Sequence, residues 1–230
     1  LPEGEEPTAE ASAALALTEM ISHLLQGTFL TVHGELKHDD RVKMGGVEIK
    51  IHTLDVAAPA LPENPIAADS GLDKRMDWRF LDLRRPEQNL VFRVQTTFLH
   101  ALRQVWVDRG FIEIQTPKLM ASASESRAEL FEVEYFEGKA FLAQSPQFFK
   151  QMAQAAGFGG IFEIGPAFRA DPSFTSRHAT EFTSVDCEFS WIDSHEDVMD
   201  LHEELMVAGL TAVKERHGEA IALAFGIDLQ

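Results

Sequence analysis

The chain has 230 residues, 45% of them hydrophobic, which is enough for one sizeable core with room for a smaller module. Its formal net charge of −17 argues against a general nucleic-acid binder, though not against a local basic surface. A single cysteine, Cys187, excludes an internal disulfide framework and any CxxC metal site, and no apolar run reaches the roughly 18 residues of a membrane span.

Residues 1–13 are polar and rich in Ala, Glu and Pro, and they read as a disordered lead or linker. Their acidity is unlike a basic targeting peptide, so a cytoplasmic protein is expected. Residues 14–26 space their apolar side chains as a short amphipathic helix does. TFLTVHGELK and GGVEIKIHTLDV alternate apolar and polar residues, which is the strand period, and RVKMGG supplies the turn. Two or three such strands are too few for an independent sheet, so 14–57 is expected to be part of a small β module. The Pro-rich APALPENP opens a linker or hinge over 58–78, and a larger domain follows over 79–230.

Within that domain a helix is predicted over 89–109, with Val91, Val94, Phe98, Leu102 and Val105 at three- and four-residue steps. Gly110 closes it, and FIEIQTPKL reads as a strand broken by Pro117. Strands FEVEYF and AFLAQ follow a polar loop and are joined through Glu137 and Gly138. A helix over 146–156 takes Pro146 in its first turn, and strands are predicted over 161–169 and 181–192. Ser194 with Asp197 forms a capping signal for a last helix that runs to about Glu215. Helices alternating with hairpin-like strands indicate an α+β fold, not a doubly wound parallel sheet. The chain holds neither GxGxxG nor GxxxxGK[ST], the usual phosphate-cradling loops.

The chemistry concentrates between Gln144 and Glu188. Arg169 ends an apolar run and offers its planar fork either to a phosphate or to a structural carboxylate. Asp171 follows two residues on, and Arg177 and His178 return from the loop. Phe182 either stacks on a base or joins the core. Gln147 and Lys150, three apart on a helix, share a face. Phe148 and Phe149 lie between Gln147 and Lys150, so Lys150 is either a selective anchor for a carboxylate in an apolar setting or a solvated cation. Asp186 and Glu188 point to one side of a strand and could hold an ammonium group or a metal, or line a solvated face. No zinc spacing and no Ser-His-Asp signature accompany them. The residues alone reach a pocket for a nucleotide and a small zwitterion, and no reaction.

Four stretches in order resemble the class II aminoacyl-tRNA synthetases, most closely the archaeal-type aspartyl branch. RGFIEIQTPKL (109–119) is similar to motif 1, the dimer-forming helix and strand, and FRADPSFTSRHATEFTSVDCEF (168–189) to motif 2. AQSPQFFKQ (143–151) resembles the segment that recognises the amino acid, and RFLDLRRPEQ (79–88) the opening of the catalytic domain. Residues 14–57 resemble part of an OB-fold, the anticodon-binding module. The resemblance implies a partial antiparallel-sheet catalytic domain preceded by a partial OB-fold barrel.

It also implies aspartate, ATP and tRNA as substrates, Mg²⁺ as cofactor, and a homodimer with Pro117 at the interface. Arg169 would then act on the ATP α-phosphate as the catalytic residue. Phe182 would stack on adenine, with Asp171 near its amino group and His178 near the phosphates. Gln147 and Lys150 would bind aspartate, while Asp186 and Glu125 would hold its ammonium group. The sequence departs from the family in four places. Motif 3, which brings the γ-phosphate arginine and the main Mg²⁺ ligands, is missing, as are the first OB-fold strands. Asp171 stands where the family has Glu, and Ser126 and Arg127 stand where two glycines follow Glu125. Three readings remain open: a piece of an aspartate–tRNA ligase truncated at both ends, a shortened paralogue that binds aspartate or nucleotide without charging tRNA, and a dimerising relative with a relic pocket.

Overall fold

A computed structural model describes residues 9–42, 45–61, 64–67, 69–123, 130–172, 175 and 177–230. The chain divides into two compact units, Leu1–Asp82 and Leu83–Gln230.

In the first unit, helix α1 (Ala9–Ser22) begins earlier than the expected residue 14. Residues 9–13 are therefore helical and not a disordered lead, because AEASAALAL is alanine-rich and carries no β-branched residue, glycine or proline to oppose a helix. Strands β1 (Phe29–His38) and β2 (Val47–Ala58) pair as an antiparallel ribbon whose register shifts between His33 and Gly34. A side chain at Gly34 would place its Cβ 2.2 Å from the Lys50 carbonyl oxygen, so this crossing demands glycine. Leu54 is the one buried residue among the ribbon's described positions.

The expected linker over 58–78 is partly helical. Helix α2 (Leu72–Asp77) lies inside it, and the short α3 (Arg79–Asp82) follows at once. The cause is Asp82, whose side chain is fully buried. It accepts from Arg75 Nε at 2.9 Å, Arg75 Nη2 at 3.2 Å and Arg79 Nη1 at 2.5 Å, which ties the two helices together. The Arg75 hydrogen bonds hold the Asp82 carboxyl below the usual carboxylate range.

The second unit opens with α4 (Pro86–Asp108), which takes Pro86 at its first turn and buries Leu90, Thr97, Leu102 and Trp106. Then come β3 (Ile112–Glu113), β4 (Leu119–Met120), β5 (Glu132–Tyr135), β6 (Gly138–Leu142), α5 (Gln147–Ala155), β7 (Gly160–Phe168), β8 (Glu181–Phe189) and α6 (His195–Phe225). The strands form two three-stranded sheets, β3-β7-β8 and β4-β6-β5. All pairs are antiparallel except β3 with β7, so the α+β expectation holds with one parallel contact.

Helix α6 carries the expected capping box at Ser194 and Asp197 but runs to Phe225, ten residues past the expected Glu215. Gly218 costs about 1 kcal/mol inside a helix. Val213 and Ile221 offset that cost by packing with Leu90 of α4. The stop comes at Gly226, whose φ of 67° suits the left-handed cap. The contact between α4 and α6 is close: a Cβ on Gly209 would lie 2.4 Å from the Phe98 ring.

The β7–β8 pair is two-faced. Phe162 lies opposite Cys187 and Ile164 opposite Val185, and one side of the pair packs into the cluster of Leu102, Trp106, Leu201 and Leu205. Glu163 lies opposite Asp186 and Ala167 opposite Phe182, and these residues point to the other side.

Candidate functional site

The second face of β7–β8 gathers the charges. Lys150, in the middle of α5, is only 7% exposed. Its Nζ donates to Asp186 Oδ1 at 2.5 Å and lies 3.2 Å from Glu188 Oε2. The sequence suggested an apolar setting for Lys150 from the preceding Phe148 and Phe149, but Phe148 is 42% exposed and the lysine turns to the strand carboxylates. Burial alone would lower the Lys150 pKa, and the two carboxylates outweigh it, so the pKa stands above the ordinary lysine value. The ammonium is therefore kept charged, and the trio carries one net negative charge.

The helix is fixed at both ends. At its start, Gln147, half-buried, donates its backbone N–H to Ser145 Oγ at 3.3 Å. Gln144 and Ser145, which precede it, are buried. Near its end, one turn past Lys150, Gln154 Nε2 donates to the Glu188 carbonyl at 3.2 Å, and the Ser190 hydroxyl bonds to Gln154 Oε1. Gln154 was not singled out in the sequence. Its signal is the i+4 spacing from Lys150, which puts both on one helix face.

A second cluster lies at the end of β7. The Arg169 guanidinium sits 5.5 Å from the centre of the Phe182 ring, a cation on an aromatic face, and its backbone N–H donates to the Thr180 carbonyl at 2.9 Å. A planar base can stack on Phe182 only on its other face or by displacing that cation. Asp171, half-buried, lies three residues past the end of β7. His178 is turned into its own loop, with Nδ1 2.5 Å from Thr175 Oγ1. The structure thus brings together Lys150 with Asp186 and Glu188, and Arg169 with Phe182. Pro117 is exposed between β3 and β4. Glu125, Ser126 and Arg127 lie outside the described residues. Among the described residues no group of three or more His, Cys, Asp or Glu side chains converges as metal ligands do.

The main residue the sequence reading missed is Glu163, 2% exposed, the lone carboxylate in IFEIGPAF. Its Oε1 accepts the Thr116 N–H at 2.9 Å and Lys118 Nζ at 2.8 Å, and its Oε2 accepts the Thr116 hydroxyl at 2.8 Å. A carboxylate among apolar strand residues was the available signal, since an ion is rarely buried without partners. Cys187, on the core face, is half-buried, and its partial burial together with the Asp186 charge pushes its thiol up; it is a neutral residue packed against the core.

One face of the β7–β8 pair thus carries a buried lysine between strand carboxylates and, at its end, an arginine on an aromatic ring. The chain belongs to the class II tRNA synthetases of the D, K and N group, whose family model matches residues 71–228. It is similar to the aspartate–tRNA(Asp/Asn) ligase of Methanopyrus kandleri, with 44% identity over 86% of this chain and 46% of that protein. Similarity to the aspartate–tRNA(Asp) ligase of Pyrococcus abyssi is 38% identity over 89% of this chain and 48% of that protein. Among solved structures, the asparaginyl-tRNA synthetase of Pyrococcus horikoshii with asparaginyl-adenylate matches with a TM-score of 0.84 and 30% identity, covering 90% of this chain and 48% of that one. The aspartyl-tRNA synthetase of Entamoeba histolytica matches at 0.73 and 25% identity, over 87% and 44%. The chain thus spans about half the length of the relatives it matches.

Proposed function

We propose that this chain carries the amino-acid and ATP-binding part of an aspartate–tRNA ligase, which activates aspartate as aspartyl-adenylate and passes the aspartyl group to tRNA. The observation that carries the reading is Lys150, buried, charged and held between Asp186 and Glu188. Two of its N–H groups face those carboxylates, and the third is directed to the side-chain carboxylate of bound aspartate. The net negative charge of the trio favours the substrate's ammonium group, which Asp186 meets with Glu125. Gln147 completes the aspartate contacts from the first turn of α5.

In the first step an oxygen of the aspartate α-carboxylate forms a bond to the α-phosphorus of ATP, and the bond to the pyrophosphate oxygen breaks. Arg169 neutralises charge that develops on the α-phosphate, His178 reaches the phosphates by turning away from Thr175, and adenine stacks on Phe182 with Asp171 beside it. Mg²⁺ serves ATP chemistry by neutralising phosphate charge; no described residue is assigned to it.

Titration calorimetry of the chain with aspartate and with asparagine tests the reading. A charge-assisted bond is worth about 1.5–3 kcal/mol, so aspartate is expected to bind at least about tenfold more tightly. Equal affinity for the two amino acids would overturn the assignment of Lys150.

The same reading makes the protein a homodimer through residues 109–119. Ile112 and Leu119 are 49% and 51% exposed on either side of the exposed Pro117, an apolar edge suited to a symmetric contact. Sedimentation equilibrium is expected to show a dimer at about 10 µM, where weak pairs begin to dissociate. A single monomeric species at that concentration contradicts it.

A further inference from the structure

Between β3 and β4 the chain changes sheets. The Ile114 N–H still donates to the Phe162 carbonyl beside β7 at 2.9 Å, whereas Leu119 already pairs with Leu142 of β6. At the corner stands Pro117, which has no N–H and cannot continue a ladder. Its two neighbours are taken by one side chain instead. Glu163 accepts the backbone and hydroxyl groups of Thr116 and the ammonium of Lys118, and Lys118 Nζ also donates to Thr116 Oγ1 at 3.0 Å.

From that corner the contacts run on toward the site. The Lys118 carbonyl accepts the Ala143 N–H at 3.0 Å, and the Ala143 carbonyl accepts the Phe168 N–H at 3.0 Å. Ala143 is buried and lies just before the turn that opens α5, while Phe168 immediately precedes Arg169. On the sheet itself Glu163 lies directly opposite Asp186. Even the neighbouring glycine fits: a Cβ on Gly165 would lie 3.3 Å from Glu163 Oε1, so its absence leaves room for the carboxylate.

We propose that Glu163 is a positioning residue: its buried carboxylate braces the Thr116–Lys118 corner where the chain passes between the two sheets, and so sets where α5 holds Lys150 against Asp186. This rests on the reading of Lys150 as the aspartate anchor. A buried ion pair is weak as a source of stability compared with apolar packing, so a carboxylate at this point serves geometry. Arg169 is braced by the same path through Ala143 and Phe168.

The test compares four forms of the chain: wild type, Glu163→Gln, Thr116→Val and Leu205→Ala. Thr116→Val removes the two hydrogen bonds of the Thr116 hydroxyl, to Glu163 and from Lys118, without changing charge, and Leu205→Ala loosens the core without touching the corner. The ligand-free readout is the ¹⁵N resonance of the Lys150 ammonium, assigned by its disappearance in Lys150→Met. It is expected to shift in Glu163→Gln and in Thr116→Val and to stay in place in Leu205→Ala. A shift in Glu163→Gln alone would reflect the field of the lost charge and overturn the brace; so would an unmoved resonance in both corner variants, or one that moves equally in Leu205→Ala.

With aspartate, Glu163→Gln is expected to bind about tenfold more weakly, while Leu205→Ala stays within about twofold. Normal aspartate affinity in Glu163→Gln likewise overturns the brace. Absence of aspartate binding by the wild type, with the resonance shifts present, overturns the aspartate reading and leaves the brace standing.

Discussion

Lys150→Met is expected to abolish aspartate binding and to cost the folded protein about 3 kcal/mol, the low end of the range for breaking a buried ion pair. The low end applies because Asp186 and Glu188 keep 21% and 35% of their side-chain surface in water, which softens the penalty of leaving them without a cation. Methionine matches the lysine stem in volume, so packing of α5 is largely preserved and the charge is the variable. The pH dependence separates this from a packing defect. The folded Lys150 pKa is raised, so its contribution is fully present below the unfolded value of about 10.4 and is lost as pH climbs through the folded value. The difference between wild type and variant is therefore expected to be constant from neutral pH to about 10 and to shrink above that. Urea unfolding across that pH range measures it. A variant as stable as wild type at pH 7, or a difference that ignores alkaline pH, would show that Lys150 is not the partner of these carboxylates.

The alternation in IFEIGPAF and EFTSVDCEF made the two strands and their two faces legible, because a period of two assigns every residue to a side. Once Asp186 and Glu188 were placed on one face and Lys150 on a helix, the members of the charged trio were in hand. Their pairing was not, since it arises from α5 lying across β8, a contact between residues 36 apart in sequence. Glu163 escaped for a related reason. Its partners Thr116 and Lys118 precede it by 47 and 45 residues and are joined to it only by the change of sheets at Pro117. Local pattern also misjudged the ends of helices. The last helix was expected to end near Glu215, yet Ile221 beyond that point is buried, and tertiary packing carries α6 through Gly218. At the other end of the chain, the alanine-rich propensity of 9–13 outweighed the polar composition that suggested disorder.

The site depends on a core residue that has no polar part in it. Trp106 is 1% exposed and stacks on Phe162 with ring centres 4.6 Å apart and planes inclined by 20°. Phe162 is the neighbour of Glu163 in β7, so the stack presses the sheet on α4 while the opposite face of the same strand carries the carboxylate. Trp106→Ala removes the largest fully buried side chain of the unit and leaves a cavity among Leu102, Leu201 and Leu205. The expected cost is about 3–5 kcal/mol. At about 2–4 °C per kcal/mol for a unit of this size, the melting temperature should fall by roughly 6–20 °C. Trp106→Phe is expected to lose far less. It keeps a ring on Phe162, and the indole N–H it gives up has no partner stronger than the weakly accepting Cys187 sulfur. Calorimetric scans of the two variants beside wild type decide the point. If alanine lowers the melting temperature by less than about 3 °C, or phenylalanine by as much as alanine, the stack is not what holds the sheet, and the support for the Glu163–Asp186 face must come from elsewhere in the α4–α6 cluster.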